Sequence, residues 1–492
     1  MLAILRFDAS KNQGLGHLVR SLALADAAIA SGWQIEVCGD IDNPAGLKMI
    51  GTRGYTIRPA PRHPADLADL AVCRKADIVH VDTYAEQGNL RDALGSAGIL
   101  LSSMEDGSNG RRAADLVVDP SPGSELSLRP FDGSMRLYRG RKAIPLRQSI
   151  LGLAHAPQAA FEGRVRRIMI IMGGTDASDL TMFMLECWLE TGLGAECNVV
   201  ADPETVASWD PELVQDVLVH SPGPNIPELF PEMDLVITAS GTTIWELAYL
   251  GTAMAILQVV ENQRENYLYA TSNGMSVGLG TFVEGQLDRQ TIVRMLVEAG
   301  SSGSVRDARA QRARSLIDGS GSRNIVEQWS LLVKSVDGPV ARIATIDDAS
   351  TLFEWRNDAS VRDVSRNTGE LSWAGHVAWL EGVLNNPTRL LFIVEDNLAP
   401  IGTVRFDAQT PEDGRWEVSI TVSPHVRGRG MGKVVLSAGE KSMFSTHPDA
   451  RLFAEMLETN VASYRLFKAA GYSGSMKVVE GLPWHSLDKR MP

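Results

Sequence analysis

The chain of 492 residues exceeds what a single hydrophobic core holds, since single cores stop growing near roughly 250–300 residues, so two or three domains are expected. With 44% hydrophobic and 22% charged residues and a mean hydropathy of −0.06, the composition is that of an ordinary globular protein and excludes extensive disorder. The formal net charge of −13 disfavours a general nucleic-acid or anionic-membrane surface, while local basic loops can still hold a phosphate.

Four cysteines (Cys38, Cys73, Cys187 and Cys197) form no C-x-x-C pair and give no zinc or disulfide spacing, which suits a reducing compartment. The opening residues lack a charged-then-apolar signal pattern, and no apolar run approaches about 18 residues, so the expectation is a cytoplasmic protein with no membrane partner.

From the start, short apolar runs alternate with helical patterns: "LAILRF", a helix over 17–31, then "WQIEVCG", "DIVHVD", "GILLSS" and "ADLVVD". Wholly apolar strands separated by helices predict a parallel sheet covered on both faces. A Pro/Gly/Arg-rich stretch at 139–166 precedes a second series with the same rhythm: "RRIMIIMGG", "ECNVVAD", "DLVITAS" and "AMAILQV". The first 330 residues therefore read as two doubly wound α/β domains, over 1–150 and 151–335. Near 334–350 a linker and a new strand begin a third domain, over 340–492, with helices at 346–385, 432–445 and 461–470. Its strands "LLFIVED", "PIGTVRFD", "RWEVSITVS" and "RLFAEML" make it α+β.

The first polar landmark is "QGLGHLVRS", straight after the first strand. Gly14 and Gly16 let an anion approach a helix start, and His17 with Arg20 occupies the first turn, at a sheet's carboxyl edge. An imidazole there serves as a base near neutral pH or as a packed, helix-capping side chain; the residues alone leave both open. "GDID" supplies Asp40 and Asp42, a spacing more often found in a solvated loop.

In the second series, "MGGTDAS" places Gly173, Gly174, Thr175 and Asp176 after a strand. "ASGTTIWELAYLG" then presents Ser240, Gly241, Thr242 and Thr243 at a strand-to-helix turn, with Glu246 one turn in, and "VVENQ" puts Asn262 and Gln263 after the next strand. Hydroxyls and helix-start amides suit a diphosphate, and a carboxylate one turn in accepts two ribose hydroxyls.

With "RFDASKNQGLGHLVRSLALA", "VDTY", "MGGTD", "ASGTTIWELAYLG" and "ENQ" together, residues 1 to about 335 resemble the UDP-sugar hydrolase of pseudaminic acid biosynthesis, a relative of GT-B glycosyltransferases. The resemblance implies release of UDP from UDP-2,4-diacetamido-2,4,6-trideoxy-β-L-altrose by inverting attack of water at the anomeric carbon, with no metal. It makes His17 the base, places Asp82, Tyr84 and Asn262 near the sugar, and gives Gly241, Thr242, Thr243 and Glu246 to UDP. Phe7 and the "ASGTT" turn depart from the family pattern.

The C-terminal landmark is "VSPHVRGRGMGKVVL", where Val422 ends a strand and Arg427, Gly430 and Gly432 give R-x-x-G-x-G before a helix. Successive amides from Gly428 through Met431 to Lys433 can wrap a pyrophosphate, with Arg427, Arg429 and Lys433 adding charge. Residues 340–485 resemble the GNAT acetyltransferases, which implies acetyl-CoA as cosubstrate. "WRNDASVR", with Arg356 and Asn357, looks like the acceptor side of the subgroup that acetylates UDP-4-amino sugars. Asn460 matches a family asparagine that supports the cofactor; seven residues on, where a tyrosine commonly protonates the thiolate, stands Phe467. Tyr464, three residues earlier on the helix, is the candidate substitute acid, with water as the alternative, and Glu417 is the candidate base, with an exposed strand residue as its alternative; His376 is a second candidate base better suited to packing.

The expectation is a bifunctional enzyme that acetylates a UDP-4-amino sugar and hydrolyses the resulting UDP-linked diamino sugar, with no nucleic-acid partner. The alternatives are a GT-B glycosyltransferase fused to an acetyltransferase, the same two steps for a related nonulosonate precursor, or a sugar-nucleotide sensor that binds without turnover.

Overall fold

The computed structural model describes residues 1–9, 15–85, 88–153, 163–173, 176, 179–282, 287–334, 338–362, 369–397, 399–410, 414–479 and 481–490. The chain divides into two compact units: Met1–Ser124 with Tyr138–Val333, and Glu125–Leu137 with Lys334–Pro492.

The first unit contains two sheets. Strands β1 (Leu2–Phe7), β2 (Gln34–Cys38), β3 (Ile57–Arg58), β4 (Ile78–Asp82), β5 (Leu100–Met104), β6 (Leu116–Asp119) and β7 (Arg136–Arg139) lie in the order β3-β2-β1-β4-β5-β6-β7. Strands β8 (Arg167–Ile171), β9 (Glu196–Val200), β10 (Val217–His220), β11 (Leu235–Ala239), β12 (Met254–Gln258) and β13 (Val277–Thr281) lie in the order β10-β9-β8-β11-β12-β13. The ladders from β3 through β6 and across the whole second sheet are parallel. These are two doubly wound Rossmann-type sheets, as the alternating apolar runs predict.

Burial explains those runs. In β8 and β11, Ile168, Ile170, Leu235 and Ile237 enter one core, while the alternate residues Met169, Ile171 and Val236 enter another on the opposite face. Both faces are dry, so neither carries a polar alternation. In each sheet the strand order reverses beside the first strand, between β1 and β4 and between β8 and β11. A crevice opens there at the carboxyl ends. Phe7, the departure noted in the sequence, is wholly buried at the end of β1.

The last helix of this unit, Gly321–Val333, returns to the first sheet, although the sequence grouped it with the second domain. Trp329 on it is buried and donates from Nε1 to Ser102 Oγ at 3.0 Å, on β5. Trp33 donates to Ser330 Oγ at 3.2 Å, and the Trp33 and Trp329 rings meet edge-on. Two Rossmann-type sheets with a final helix crossing back make the unit GT-B-like.

The second unit is one mixed sheet with helices. Strands β14 (Val340–Ile343), β15 (Arg389–Asp396), β16 (Ala399–Thr410), β17 (Arg415–Val422), β18 (Arg451–Leu457), β19 (Ser473–Val479) and β20 (Leu482–Arg490) run in the order β14-β15-β16-β17-β18-β20-β19. Every ladder is antiparallel except β17 with β18. That parallel pairing covers only Arg415–Glu417 against Arg451–Phe453, after which β17 runs on to Val422 and β18 to Leu457. The sheet thus splays into a wedge beyond Glu417. Helix Met431–Thr446 packs against β16 at Gly439, where a Cβ would stand 2.6 Å from a Val404 methyl.

Residues 125–137 fall within the first predicted domain by sequence position yet group with this second unit. No helix among the described residues is long and apolar enough to cross a membrane.

Candidate functional site

In the first unit, a cavity of about 320 Å³ is lined from both sheets, by Gly16, His17, Arg20, Tyr84 and Asp106 on one side and by Gly173, Gly241, Thr242, Thr243, Asn262 and Gln263 on the other. Strand-end loops of both sheets converge here. Gly14, Gly174 and Thr175 lie outside the described residues.

His17 sits on the first turn of helix Gly16–Ala30, and its Nδ1 is 2.7 Å from Oδ1 of Asp82, the last residue of β4. Asp82 is wholly buried and also accepts from Arg20 Nε at 2.7 Å and Nη2 at 2.6 Å. Burial pushes the Asp82 carboxyl up, but Arg20 and His17 outweigh it and hold the group far below the ordinary carboxylate range. Arg20 spans two carboxylates, since its Nη1 donates to Asp106 Oδ1 at 2.6 Å; burial lowers its pKa, but Asp106 and Asp82 carry the net shift upward. With Asp82 ionised, the imidazole proton is held on Nδ1, which leaves Nε2 as the basic atom of His17.

The network continues across the cavity. Tyr84 donates to Asp106 Oδ2, packs its ring edge-on to His17 at 4.5 Å, and accepts from Asn262 Nδ2 at 3.3 Å. Burial first, then the Asp106 charge, raises the Tyr84 phenol well above its usual range, so it stays protonated. At Gly16 a Cβ would meet nothing within 4 Å, so its missing side chain leaves space beside the imidazole.

On the facing wall, helix Thr243–Leu250 begins at the cavity with Thr242 as its N-cap and no side-chain capping bond. Its first amides, with the Thr242 and Thr243 hydroxyls, suit an anion. Ser240 is buried behind this turn, its N–H bonded to Leu257 O and its carbonyl to Asn266 Nδ2. Gln263 accepts from Val259 N at 3.0 Å and shapes the adjoining loop. Asp176 accepts from Leu180 N and Thr181 N, both at 2.9 Å, and so caps the following helix.

Glu246, which the sequence offers to a ribose, has a partner within the protein. It is buried, and Arg147 grips both oxygens, with Nε to Oε1 at 2.6 Å. Arg147 lines the cavity. Sequence reasoning missed Arg147, which stands in a proline-rich connection, as well as Asp106, which the strand-end rule applied to "SSMEDG" would have found. Asp40 and Asp42 are exposed, as a solvated loop requires. Among the described residues no cluster of His, Cys, Asp and Glu could hold a metal ion.

In the second unit, the glycine loop follows β17. Gly428 and Gly430 have φ of +75° and +77°, a left-handed region that other residues resist, and Gly430 caps helix Met431–Thr446 with no side-chain capping bond. A Cβ at Gly432 would meet Leu466 at 3.4 Å and Val422 at 3.8 Å, so helix, loop and wedge approach closely. Arg427 turns back, donating from Nε to Val422 O at 3.2 Å and from Nη1 to Ser360 Oγ at 2.7 Å. Arg429 and Lys433 are exposed at the loop.

Glu417 is half-buried at the last paired position of the wedge. Asn460 caps helix Val461–Ala469, accepting from Ser463 N at 3.1 Å. Tyr464 stacks on His485 with centroids 4.2 Å apart, whereas Phe467 is buried in the core against Tyr472. Asn357 pairs both ends of its amide with the Leu371 backbone, at 3.1 and 2.8 Å, and so pins a loop. Arg356 is half-buried; burial, then Arg405, lowers its pKa. His376 is packed, as its alternative reading held: it is buried among Phe353, Trp373 and Trp379, with Nε2 3.0 Å from Ala349 O.

Fold and sites together define a GT-B-like pair of Rossmann-type domains followed by a GNAT acetyltransferase domain; residues 341–473 match the family described as the acetyltransferase (GNAT) domain. Over 490 residues the chain is 22% identical to an uncharacterized protein of Methanocaldococcus jannaschii, covering 96% of each. It is similar in structure to MurG of Acinetobacter baumannii, at 14% identity and a TM-score of 0.45, over 67% of this chain and 99% of that one. It is also similar to a spermidine N-acetyltransferase of Vibrio cholerae solved with CoA and spermine, at 14% identity and a TM-score of 0.29, over 31% and 94%.

Proposed function

We propose that this chain is a bifunctional nucleotide-sugar enzyme: its GNAT domain transfers acetyl from acetyl-CoA to the amine of a UDP-4-amino sugar, and its GT-B-like unit hydrolyses the acetylated product to free sugar and UDP. The substrates that fit the motifs are UDP-4-amino-4,6-dideoxy-N-acetyl-β-L-altrosamine and UDP-2,4-diacetamido-2,4,6-trideoxy-β-L-altropyranose, those of pseudaminic acid biosynthesis. The observation that carries the reading is the His17–Asp82 pair facing the helix start at Thr243 across one cavity.

In the hydrolysis, His17 Nε2 takes a proton from water as its oxygen bonds to the anomeric carbon. The bond from that carbon to the phosphate oxygen breaks, and its electron pair leaves with UDP. Asp82 holds the tautomer and stabilises the imidazolium as it forms. Helix amides at Thr243 and the hydroxyls of Thr242 and Thr243 stabilise the charge developing on the diphosphate. Tyr84 and Asn262 stand on the sugar side, and Arg147 supplies a cation beside the nucleotide side.

For acetylation, the wedge beyond Glu417 exposes strand-edge amides that suit an extended, amide-bearing chain such as pantetheine. Gly428 to Lys433 then wrap the pyrophosphate. Glu417 takes the amine proton, directly or through water, as nitrogen attacks the thioester carbonyl, and Tyr464 protonates the leaving thiolate.

The test is to incubate the protein with the UDP-4-amino sugar and acetyl-CoA and follow products by chromatography. The diacetylated UDP-sugar should form first, then free diacetamido sugar with UDP. Absence of acetylation overturns the first half; UDP release that requires an added sugar acceptor replaces hydrolysis by glycosyl transfer.

A further inference from the structure

The stretch 125–137 is carried by the sequence of the nucleotide-sugar unit but built into the acetyltransferase unit. Leu126 O accepts from Trp373 Nε1 at 2.9 Å, Arg129 N donates to Ser350 Oγ at 3.2 Å, and Arg136 pairs with Glu395 at 2.5 Å. Arg129 is itself buried and clamps Asp132 through both Nη atoms, at 2.9 and 2.8 Å, which ties the strap to itself.

Between the strap and helix Ala349–Asn357 lies a groove of about 380 Å³, whose walls include Arg129 and Phe131 on one side and Phe353, Glu354 and Asp358 on the other. Phe131 is 49% exposed, yet its ring lies flat on His425, with centroids 4.9 Å apart and planes at 17°. His425 Nε2 is 3.2 Å from Glu354 Oε1, and it stands two residues before Arg427 of the glycine loop. Glu354 Oε2 is buried with no hydrogen-bond partner among the described residues. Desolvation raises the Glu354 carboxyl, against the opposing pull of His425. On the same wall as Glu354, Asp358 accepts from Ser360, whose Oγ accepts from Arg427.

An orphaned carboxylate oxygen calls for a donor, and aromatic walls suit the apolar face of a saturated ring. The groove adjoins the cofactor loop through His425 and Ser360. We propose that this groove is the acceptor pocket of the acetyltransferase: Glu354 receives an N–H of a primary amine on a sugar-sized ring, and Phe131 of the strap packs on that ring and sets the choice of acceptor. The inference rests on reading the unit as a sugar-amine acetyltransferase. It makes the strap a working part of the second site.

The test uses the full chain with the UDP-4-amino sugar and acetyl-CoA. Phe131→Ala and Glu354→Gln should each raise the acceptor KM about tenfold, leave the acetyl-CoA KM within about twofold, and leave UDP release from supplied diacetylated substrate unchanged. Phe131→Tyr should restore the acceptor KM. An acceptor KM at the wild-type value in both variants, or equal shifts in both KM values, overturns the pocket. A wild-type protein that acetylates no sugar amine overturns the functional reading beneath it, whatever the variants do.

Discussion

Asp82 Oδ1 stands 2.7 Å from His17 Nδ1 across the point where the first sheet reverses its strand order. The aspartate ends β4 and the histidine opens the helix after β1, so the pair exists only because β1 and β4 are neighbours. Arg20, one turn further along the helix, neutralises the same carboxylate.

His17→Ala should lower UDP release by about 10²–10⁴-fold, the usual worth of a positioned base, while acetylation proceeds, so the diacetylated nucleotide sugar accumulates. Asp82→Asn should lose most of the same rate and also stability, up to about 3 kcal/mol, because Arg20 keeps Asp106 but loses its other carboxylate. Product analysis and thermal unfolding separate the two effects. Wild-type UDP release by His17→Ala would remove the base from the mechanism.

Asp119, at the end of β6, gives a pH-dependent prediction of opposite sign to Asp82. Burial, then the charge of Glu105, pushes its carboxyl from 3.8 up to about 7. The folded state therefore holds the proton more tightly than the unfolded chain does. Its contribution to stability is complete below about pH 4 and lost as pH rises to 7, a loss on the order of 2–4 kcal/mol. Asp119→Asn should raise Tm at pH 8 while changing it little at pH 4.5. Asp82 is depressed instead, so its stabilisation is present above about pH 4 and declines only on further acidification. Equal Tm shifts for Asp119→Asn at both pH values would contradict the assignment.

The strands and the crevice were legible because apolar runs buried on both faces admit few arrangements, and ligands collect at the ends of such strands. Individual side-chain roles were less so. Glu246 sits one turn into a helix that faces the cavity, but whether its oxygens meet a ligand or a guanidinium depends on Arg147, 99 positions away in sequence. The strap at 125–137 was illegible for the same reason: its partners, Ser350 and Trp373, are more than 200 residues distant. Phe467 is the converse case, where the family pattern marked a catalytic position and packing had taken it.

Arg147 links stability to nucleotide binding. UDP should raise the Tm of the wild-type chain by several degrees, since ligand at a hundred times Kd adds about 2.7 kcal/mol. Arg147→Ala leaves Glu246 as an unpaired buried charge, a loss of about 3–5 kcal/mol, and should abolish most of the UDP-dependent shift. Arg147→Lys keeps the charge without the two-pronged grip and should fall between. An undiminished UDP shift in Arg147→Ala would place the nucleotide elsewhere.

Gly430→Trp should separate the two activities. At φ +77° a large side chain is strained, and the ring would stand in the loop that the pyrophosphate needs. The acetyl-CoA KM should rise more than tenfold, with hydrolysis of supplied diacetylated substrate intact. Loss of both activities together would mean that the substitution unfolds the chain.

Phe467 tests whether a family position or the local packing decides the acid. A tyrosine there would match the commoner pattern, but the ring is 3% exposed and meets Tyr472 edge-on at 5.0 Å, so a new hydroxyl would enter an apolar core. Burying it without a partner costs about 1–3 kcal/mol. Phe467→Tyr should therefore lower Tm without raising the acetylation rate, while Tyr464→Phe, which keeps the stack on His485, should lower kcat for acetylation and leave Tm nearly unchanged. If Phe467→Tyr instead accelerated acetyl transfer, the ring would have to reach the wedge by rotating out of the core, and Tyr464 would lose its role. If neither variant changed kcat, a solvent proton would be sufficient for the leaving thiolate.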